Sequence, residues 1–273
     1  MNADAVDQPQ HRSRLRSLAG REYFILKRKL LWLKNAGRYA GIDPRAKPCT
    51  HTVFKHQSML LRPLRHVDMY LQHNKVTNLR LAIRHINGVT IRPGQTFSIW
   101  RLVGRPSAAR GYLEGLVLHN GQIAKGIGGG LCQLGNLLYW MALHSDLTIS
   151  ERWRHGFDVF PDVNRTIPFA CGATLAYNYI DLQLSNRTSN TYQIRLWLDE
   201  THLHGELLSD FPPHHRFDVF ETDHAIRQQP WGGYTRHNRI WKQATDLATG
   251  NTSTELVAEN HAIMMYEPLL PGQ

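Results

Sequence analysis

The sequence is poor in sulfur: three cysteines, Cys49, Cys132 and Cys171, stand in 273 residues. An odd count so small in a chain so long excludes a disulfide scaffold. No CxxC pair occurs. Cys49, His51 and His56, and the histidines at 202, 204, 214 and 215, fall at spacings that match no metal pattern. Neither metal nor cofactor is expected. Long hydrophobic runs are missing too, and no stretch reaches the roughly 18 apolar residues of a spanning helix. The N-terminus, MNADAVDQPQHRSRLR, is polar and lacks the apolar segment of a secretory signal. The expected address is cytoplasmic, with peripheral contact to an anionic membrane left open. Acids are also scarce, 22 Asp and Glu against 32 Lys and Arg, for a net charge of +10. Such an excess suits nucleic acid, an anionic membrane face or an acidic polymer, or is plain solvated surface. No zinc finger, RNP-type sequence or basic-aromatic platform accompanies it, so no nucleic-acid partner is expected. Internal repeats and low-complexity segments are absent.

What is present fits a globular protein of one large or two modest domains, with 42% hydrophobic and 20% charged residues. Residues 1–11 read as disordered. Arg12 to Arg38 reads as a basic amphipathic helix, with Leu15, Leu18, Tyr23, Phe24, Ile25, Leu26, Leu30, Leu31, Trp32 and Leu33 among Lys and Arg. It either lies on an anionic bilayer or covers the core with its apolar face. The second is the expectation, because the apolar residues do not keep to one stripe. The spacing predicts a second helix over Val67 to Ile86, stopped by Asn87-Gly88. Val89 to Ile91 and Thr96 to Trp100 read as strands, and Leu116 to Ala124 as a hairpin about Asn120-Gly121. Leu147 to Ile149 reads as a strand. From Ala170 the texture turns to β, with strands expected at Ala173 to Ile180, Asp181 to Leu184, Tyr192 to Leu198, His202 to Leu207, Arg216 to Thr222, Gly233 to Lys242 and Ser253 to Tyr266. Helices early and strands late predict an α+β fold: N-terminal helices, a Gly-rich loop feeding a buried helix, and a β-rich C-terminal half. The expected division is a basic helical segment at 1–45, a central domain at 46–200, and a β-rich extension at 201–273 packed on it.

The chemistry concentrates in Gly126 to Trp140, GIGGGLCQLGNLLYW. Glycines at 126, 128, 129 and 130 permit positive φ and close backbone approach. The apolar run after them reads as a buried helix whose first turn leaves backbone N–H groups unpaired. A cysteine at that mouth sits at the positive end of the dipole, which favours thiolate and a nucleophile. The alternative is a tight turn under a core helix, with Cys132 as a small buried apolar residue.

Several stretches together resemble the VanW family, met in vancomycin-resistance gene clusters and elsewhere in bacteria. They are Lys75 with Asn78-Leu79, PGQTFS at 93–98, Gly104, Gly111-Tyr112, GGGLCQLGN at 128–136, ERWRHGFDVFPD at 151–162 and GATLAYNYIDLQLSN at 172–186; ENHAIMMYEP at 259–268 is also similar. The resemblance implies a role in peptidoglycan metabolism or glycopeptide resistance. Some long members are thought to be cysteine transpeptidases of peptidoglycan, which would make Cys132 the nucleophile. The histidine that the L,D-transpeptidase signature places just before its cysteine is absent; Gly and Leu stand there.

Acyl transfer further needs a base and oxyanion donors. His155 is the candidate base and Asp158 its orienting partner, with a turn-capping histidine and a salt bridge to Arg154 as the alternatives. The N–H groups of Leu131 to Gln133 are the candidate oxyanion donors. Gly128, Gly129, Gly130, Gln133 and Asn136 would cradle substrate, a peptidoglycan stem peptide or precursor. Arg152 and Arg154 would bind its carboxylates. Asn178 and Asp181 are read as a polar pair near the cleft or as strand-end caps. The rival function is a non-catalytic module that binds cell-wall precursors or a protein partner.

Overall fold

The structure is a computed structural model that describes residues 13–61, 68–119, 121–161 and 166–268. Residues 1–11, the outer positions Arg12 and Val67 of the first two expected helices, Asn120 of the hairpin turn and Asp162 lie outside the described residues. In chain order the elements are α1 (Arg14–Lys34), β1 (Gly41–Ile42), β2 (His51–Met59), α2 (Met69–Ile83), β3 (Val89–Ile91), β4 (Thr96–Ser98), α3 (Ile99–Val103), β5 (Glu114–His119), β6 (Gln122–Ile127) and α4 (Cys132–Leu143). Then come β7 (Thr148–Glu151), β8 (Phe157–Asp158), β9 (Gln183–Ser185), β10 (Tyr192–Leu198), β11 (His202–Ser209), β12 (His215–Gln228), β13 (Tyr234–Asp246) and β14 (Thr252–Met264). The chain is α+β with a β-rich C-terminal half.

A five-stranded sheet runs β1-β3-β10-β11-β2. Strand β10 alternates as its sequence requires: Tyr192, Ile194 and Leu196 are buried, while Arg195 and Trp197 face outward. α4 lies across β2 and β11. Gly205 in β11 permits that approach, since a Cβ there would meet the Leu137 side chain at 2.8 Å. Leu134, Leu137, Leu138, Met141 and Leu143 are all at most 1% exposed. Burial of each such side chain contributes about 1.5–3 kcal/mol, so packing rather than helix propensity holds α4. The strand after residue 200 is internal to this sheet. From His215 onward β12, β13 and β14 form a second, antiparallel sheet, with β8 parallel to β14. Lys242 Nζ donates to the Ser145 carbonyl at 2.7 Å and fastens that sheet to the end of α4.

Two expected strands are corrected. The strand at Thr96 ends at Ser98, whose hydroxyl accepts the Arg101 N–H at 3.2 Å and starts α3. The segment from Ala173 to Ile180 is irregular apart from one bridge between Ala176 and Ile180. Its amides are spent elsewhere: Ala173 N–H on Asn136 Oδ1 and Thr174 N–H on the Trp153 carbonyl, both at 2.8 Å. Strand β2 is an addition, in a stretch that sequence alone read only for metal ligands.

Two buried polar anchors lock the helices to the rest. Asn78 in α2, fully buried, donates to the carbonyls of Leu113 and Gly129 at 3.0 Å each and accepts the Leu113 N–H at 2.8 Å. The loop it grips carries a backbone crossing in which a Cβ on Gly115 would sit 2.5 Å from the Gly129 oxygen. A Cβ on Gly129 would meet the Gly115 carbonyl in return. The second anchor is Asp181, also fully buried, which accepts Ser98 Oγ–H at 2.5 Å and the N–H groups of Trp100 and Leu182 at 3.2 and 2.9 Å. Burial outweighs these bonds and pushes its pKa up from 3.8 to about 7.

Two outcomes are expected. Gly129→Ala forces one backbone into another and lowers stability by about 3 kcal/mol, as overpacking does, whereas Gly156→Ala, where a Cβ meets nothing within 4 Å, changes little. Urea midpoints of the two variants check this. For Asp181 the folded chain binds the proton more tightly than the unfolded chain. Its contribution is full below the unfolded value of 3.8 and is lost as pH rises through about 7. Stability therefore falls by on the order of 3 kcal/mol from about pH 4 to pH 7 on its account, and Asp181→Asn removes that slope in urea melts across the range.

Candidate functional site

The glycine-rich turn delivers Cys132 as the first residue of α4. Gly128 and Gly130 have φ of +77° and +90°, a region open to glycine at no steric cost. Their Cβ positions are already occupied by the protein. A Cβ on Gly128 would lie 2.5 Å from Pro106, and one on Gly130 would run into the Lys75 side chain. The glycines of 128–130 thus admit neighbouring protein, not open space for a ligand. The helix has no side-chain N-cap. The Gln133 N–H is taken by the Gly130 carbonyl at 3.1 Å. Among the described residues, no carbonyl accepts the N–H groups of Leu131 and Cys132.

The first turn of α4 is clasped by residues 172–175. Gly172 leaves room for Asn136 Oδ1, which would lie 2.7 Å from a Cβ, and Gly135 leaves room for Leu175. The clasp sets the Leu175 side chain against Gly135, three residues after Cys132. Cys132 is partly exposed whereas Cys49 and Cys171 are buried. Burial nevertheless pushes its pKa up, against the lowering pull of hydrogen bonds from Leu175 and from its own backbone N–H. The helix dipole pulls the other way, toward thiolate. A dipole contributes about 0.3–1 kcal/mol, and desolvation of a thiolate exceeds that. The free chain holds a protonated thiol.

Of the other candidates, His155 follows Arg154 on the segment leading into β8. Burial, then the Arg154 charge, lowers its pKa and keeps the ring neutral. Among the described residues no hydrogen bond joins it to Cys132 or to Asp158. The Asp158 carboxylate is engaged by Arg236 at 3.4 Å and by Tyr266 Oη–H at 2.9 Å. Arg152 donates to the carbonyls of Gly172, at 2.8 Å, and Ala170, with its guanidinium over the Tyr139 ring at 4.6 Å. Arg154 donates to the His261 carbonyl, and burial lowers its pKa to about 10. Gln133 Nε2 donates to Ser58 Oγ and the Met59 carbonyl at 2.9 and 2.8 Å. Asn178 is fully buried, and neither its Oδ1 nor its Nδ2 finds a partner among the described residues. Such an orphan is rare in a native interior. Asp181 is the anchor described above and is closed to ligand. The geometry therefore brings the first turn of α4, with Cys132 and Asn136, together with residues 172–175, and sets Asp158 in a polar group with Arg236 and Tyr266.

Sequence reasoning missed two features. The Leu175 backbone, whose hydrogen bond lowers the thiol pKa, has no residue signature. The other is Glu151, whose carboxylate accepts Arg28 bidentately at 2.6 and 2.7 Å, Gln183 Nε2 at 2.9 Å, and Trp153 Nε1 and the Asp181 N–H at 3.2 Å. It floors a cleft of about 580 Å³ walled by α1 and by Tyr39, Trp153 and Tyr179. A helix reading of α1 marks Arg28 only as one cation among many. Among the described residues no group of three or more His, Cys, Asp or Glu is placed to hold a metal ion. No helix of the described residues is long and apolar enough to cross a membrane.

Comparison with known proteins bears on the same elements. The model of the family described as "VanW like protein" matches residues 74–208, from α2 through β11. The chain is 37% identical over 184 residues to a protein named "Vancomycin B-type resistance protein VanW" from Enterococcus faecalis, covering 67% of this chain and 66% of that relative. It is 26% identical over 121 residues to the Bacillus subtilis protein named "Uncharacterized protein YoaR", covering 43% of this chain and 37% of that one. The chain thus spans just under two thirds of the first relative's length and a smaller share of the second's. No solved structure matches. The matched region contains Asn78, the glycine turn, Cys132 and the clasp at 172–175, and the chain belongs to the VanW family.

Proposed function

We propose that this VanW-family chain serves vancomycin resistance through peptidoglycan metabolism, as a cysteine acyltransferase of the transpeptidase kind. Cys132 is its nucleophile and a peptidoglycan stem peptide or its precursor the acyl donor. One observation carries the reading: Cys132, a residue of intermediate exposure, begins α4 beside two backbone N–H groups, its own and that of Leu131, that no carbonyl of the described residues accepts. Donors so placed face the oxygen of a carbonyl under attack. In the reaction the sulfur bonds to the acyl carbon, the amide C–N bond breaks, and the amine departs with the thiol proton; an acceptor amine then displaces the sulfur. Because the resting thiol is protonated, it needs general-base removal of the proton instead of a standing thiolate. His155, held neutral, is the proposed base, and its ring must swing to the sulfur when substrate is seated. Cytoplasmic residence would make the donor a precursor and not finished wall.

The second reading is a module without catalysis, and the contacts that weigh against catalysis involve the proposed triad and carboxylate-binding groups. Arg152, Arg154 and Asp158 are spent on protein groups, and the spaces at Gly128 to Gly130 are filled by protein.

Intact-mass measurement after mixing the full chain with a synthetic stem pentapeptide separates them. Acyl transfer predicts an adduct on Cys132 that lacks the terminal residue of the peptide. It predicts no adduct on Cys132→Ala at unchanged melting temperature, and loss of at least about a hundredfold in rate for His155→Ala. With iodoacetamide alone, alkylation of Cys132 climbs above pH 9 with no neutral plateau, because burial raises its pKa. Absence of an adduct, with peptide affinity intact in Cys132→Ser, sinks the enzyme and leaves the module.

A further inference from the structure

Helix α1 touches the rest of the protein through one side of its circumference. Among its described side chains only Ile25 and Trp32 are buried, seven positions apart and so on one face. Arg28, one turn from each, joins them through its pair with Glu151. On the same side Phe24 and Leu31 line the cleft, with the Phe24 ring 6.3 Å from that of Tyr179; a helix docked by this one face should be polar elsewhere. This one is not. Leu15, Ala19, Leu26, Leu30 and Leu33 follow steps of four, seven, four and three, the periodicity of a second stripe, and Tyr23 lies at its margin. At about 100° per residue this stripe is centred roughly 100° from Ile25. Leu15 is 81% exposed, Leu26 59%, Leu30 58% and Leu33 74%.

Cations border the stripe. Arg16, Lys27 and Lys34 run along one side and Lys29 along the other, all exposed. Glu22 is the one acid of α1, and Arg21 lies 3.5 Å from it. We propose that this face of α1 lies on a lipid bilayer bearing anionic headgroups, leucines in the acyl boundary and Lys and Arg among the phosphates. The chemistry of both parts fits: apolar area gains by leaving water, and a cationic rim gains from a negative surface. The 21 residues of α1 make a rod about 31 Å long, and it lies flat, since no described helix is apolar enough to span. A second copy of the chain is the poorer occupant. Stripe against stripe would set Lys and Arg against Lys and Arg, with one Glu on each side to offset them. The inference stands independently of acyl transfer at Cys132.

The test is flotation of the full chain with phosphatidylcholine vesicles, with and without phosphatidylglycerol, at low and high salt. Partition is expected to be about tenfold stronger or more with phosphatidylglycerol, and to weaken in high salt. The variant Leu26→Ser/Leu30→Ser/Leu33→Ser is expected to lose about tenfold or more in partition at unchanged melting temperature, because those side chains are exposed. Tyr23→Trp places a reporter at the margin of the stripe, and its emission shifts to the blue on anionic vesicles. The proposal is overturned if the wild-type chain stays unbound with phosphatidylglycerol at low salt, or if the triple variant binds as well as wild type. It is overturned equally if sedimentation without lipid shows a dimer that the triple variant turns into a monomer and vesicles capture neither.

Discussion

The grip of one asparagine on a backbone crossing sets the geometry of everything downstream. Asn78 stands in α2 with no exposed surface, and its amide satisfies three backbone groups of the loops around Leu113 and Gly129. A buried amide that loses such partners costs about 1–3 kcal/mol for each group left unpaired. That penalty ties α2, the β5–β6 hairpin and the glycine turn into one register. Gly115 and Gly129 then pass each other with no space for a methyl group. The turn is a joint before it is a site. Gly129 leaves room for the backbone of Gly115, while Gly128 and Gly130, at positive φ, leave room for the side chains of Pro106 and Lys75, so packing accounts for the three glycines of the motif.

The consequence for Cys132 is a contest between two electrostatic effects. The start of α4 offers positive potential and N–H donors, but the same joint sinks the helix into hydrocarbon. Leu134, Leu137 and Leu138 follow the cysteine directly into the core. A dipole of about 0.3–1 kcal/mol does not offset the desolvation of an anion in such surroundings, and the thiol pKa rises. A nucleophile built this way is quiet until a base arrives. The neutral His155 ring has the right protonation state for a base and, among the described residues, makes no hydrogen bond to the sulfur in the free chain.

Periodicity made the framework legible. α2, the β5–β6 hairpin and β10 stand close to where alternation and helical spacing put them, because each buries one regular face. What failed was local pattern overruled by distant partners. The run from Ala173 to Ile180 has the β-branched and aromatic texture of a strand, yet Asn136 and Trp153 take its amides before a neighbouring strand does. Ser98 looks like one more strand residue until its hydroxyl caps α3. At the site, Cys132 and the helix after it were readable, since an unpaired first turn follows from a glycine cluster before an apolar run. Its thiol pKa was not, because burial is a property of the whole fold. Nor were the partners of Arg152, Arg154 and Asp158, whose carbonyl and side-chain contacts lie up to 108 positions away in sequence.

The ion pair of Arg28 with Glu151 gives α1 its fixed attitude, and that attitude separates two roles a single helix would otherwise confuse. Glu151 is already bound by Gln183, Trp153 and the backbone of Asp181, so the guanidinium meets a carboxylate that is oriented in advance. A partly buried, bidentate pair of this kind is worth more than a surface one, and removal of either partner would strand the other's charge. With Arg28 fixed, Ile25 and Trp32 must face the core, and Leu26, Leu30 and Leu33 must face away from it. The apolar residues that seemed too scattered for one amphipathic face thus resolve into two faces, and the second points outward because the first is pinned by charge.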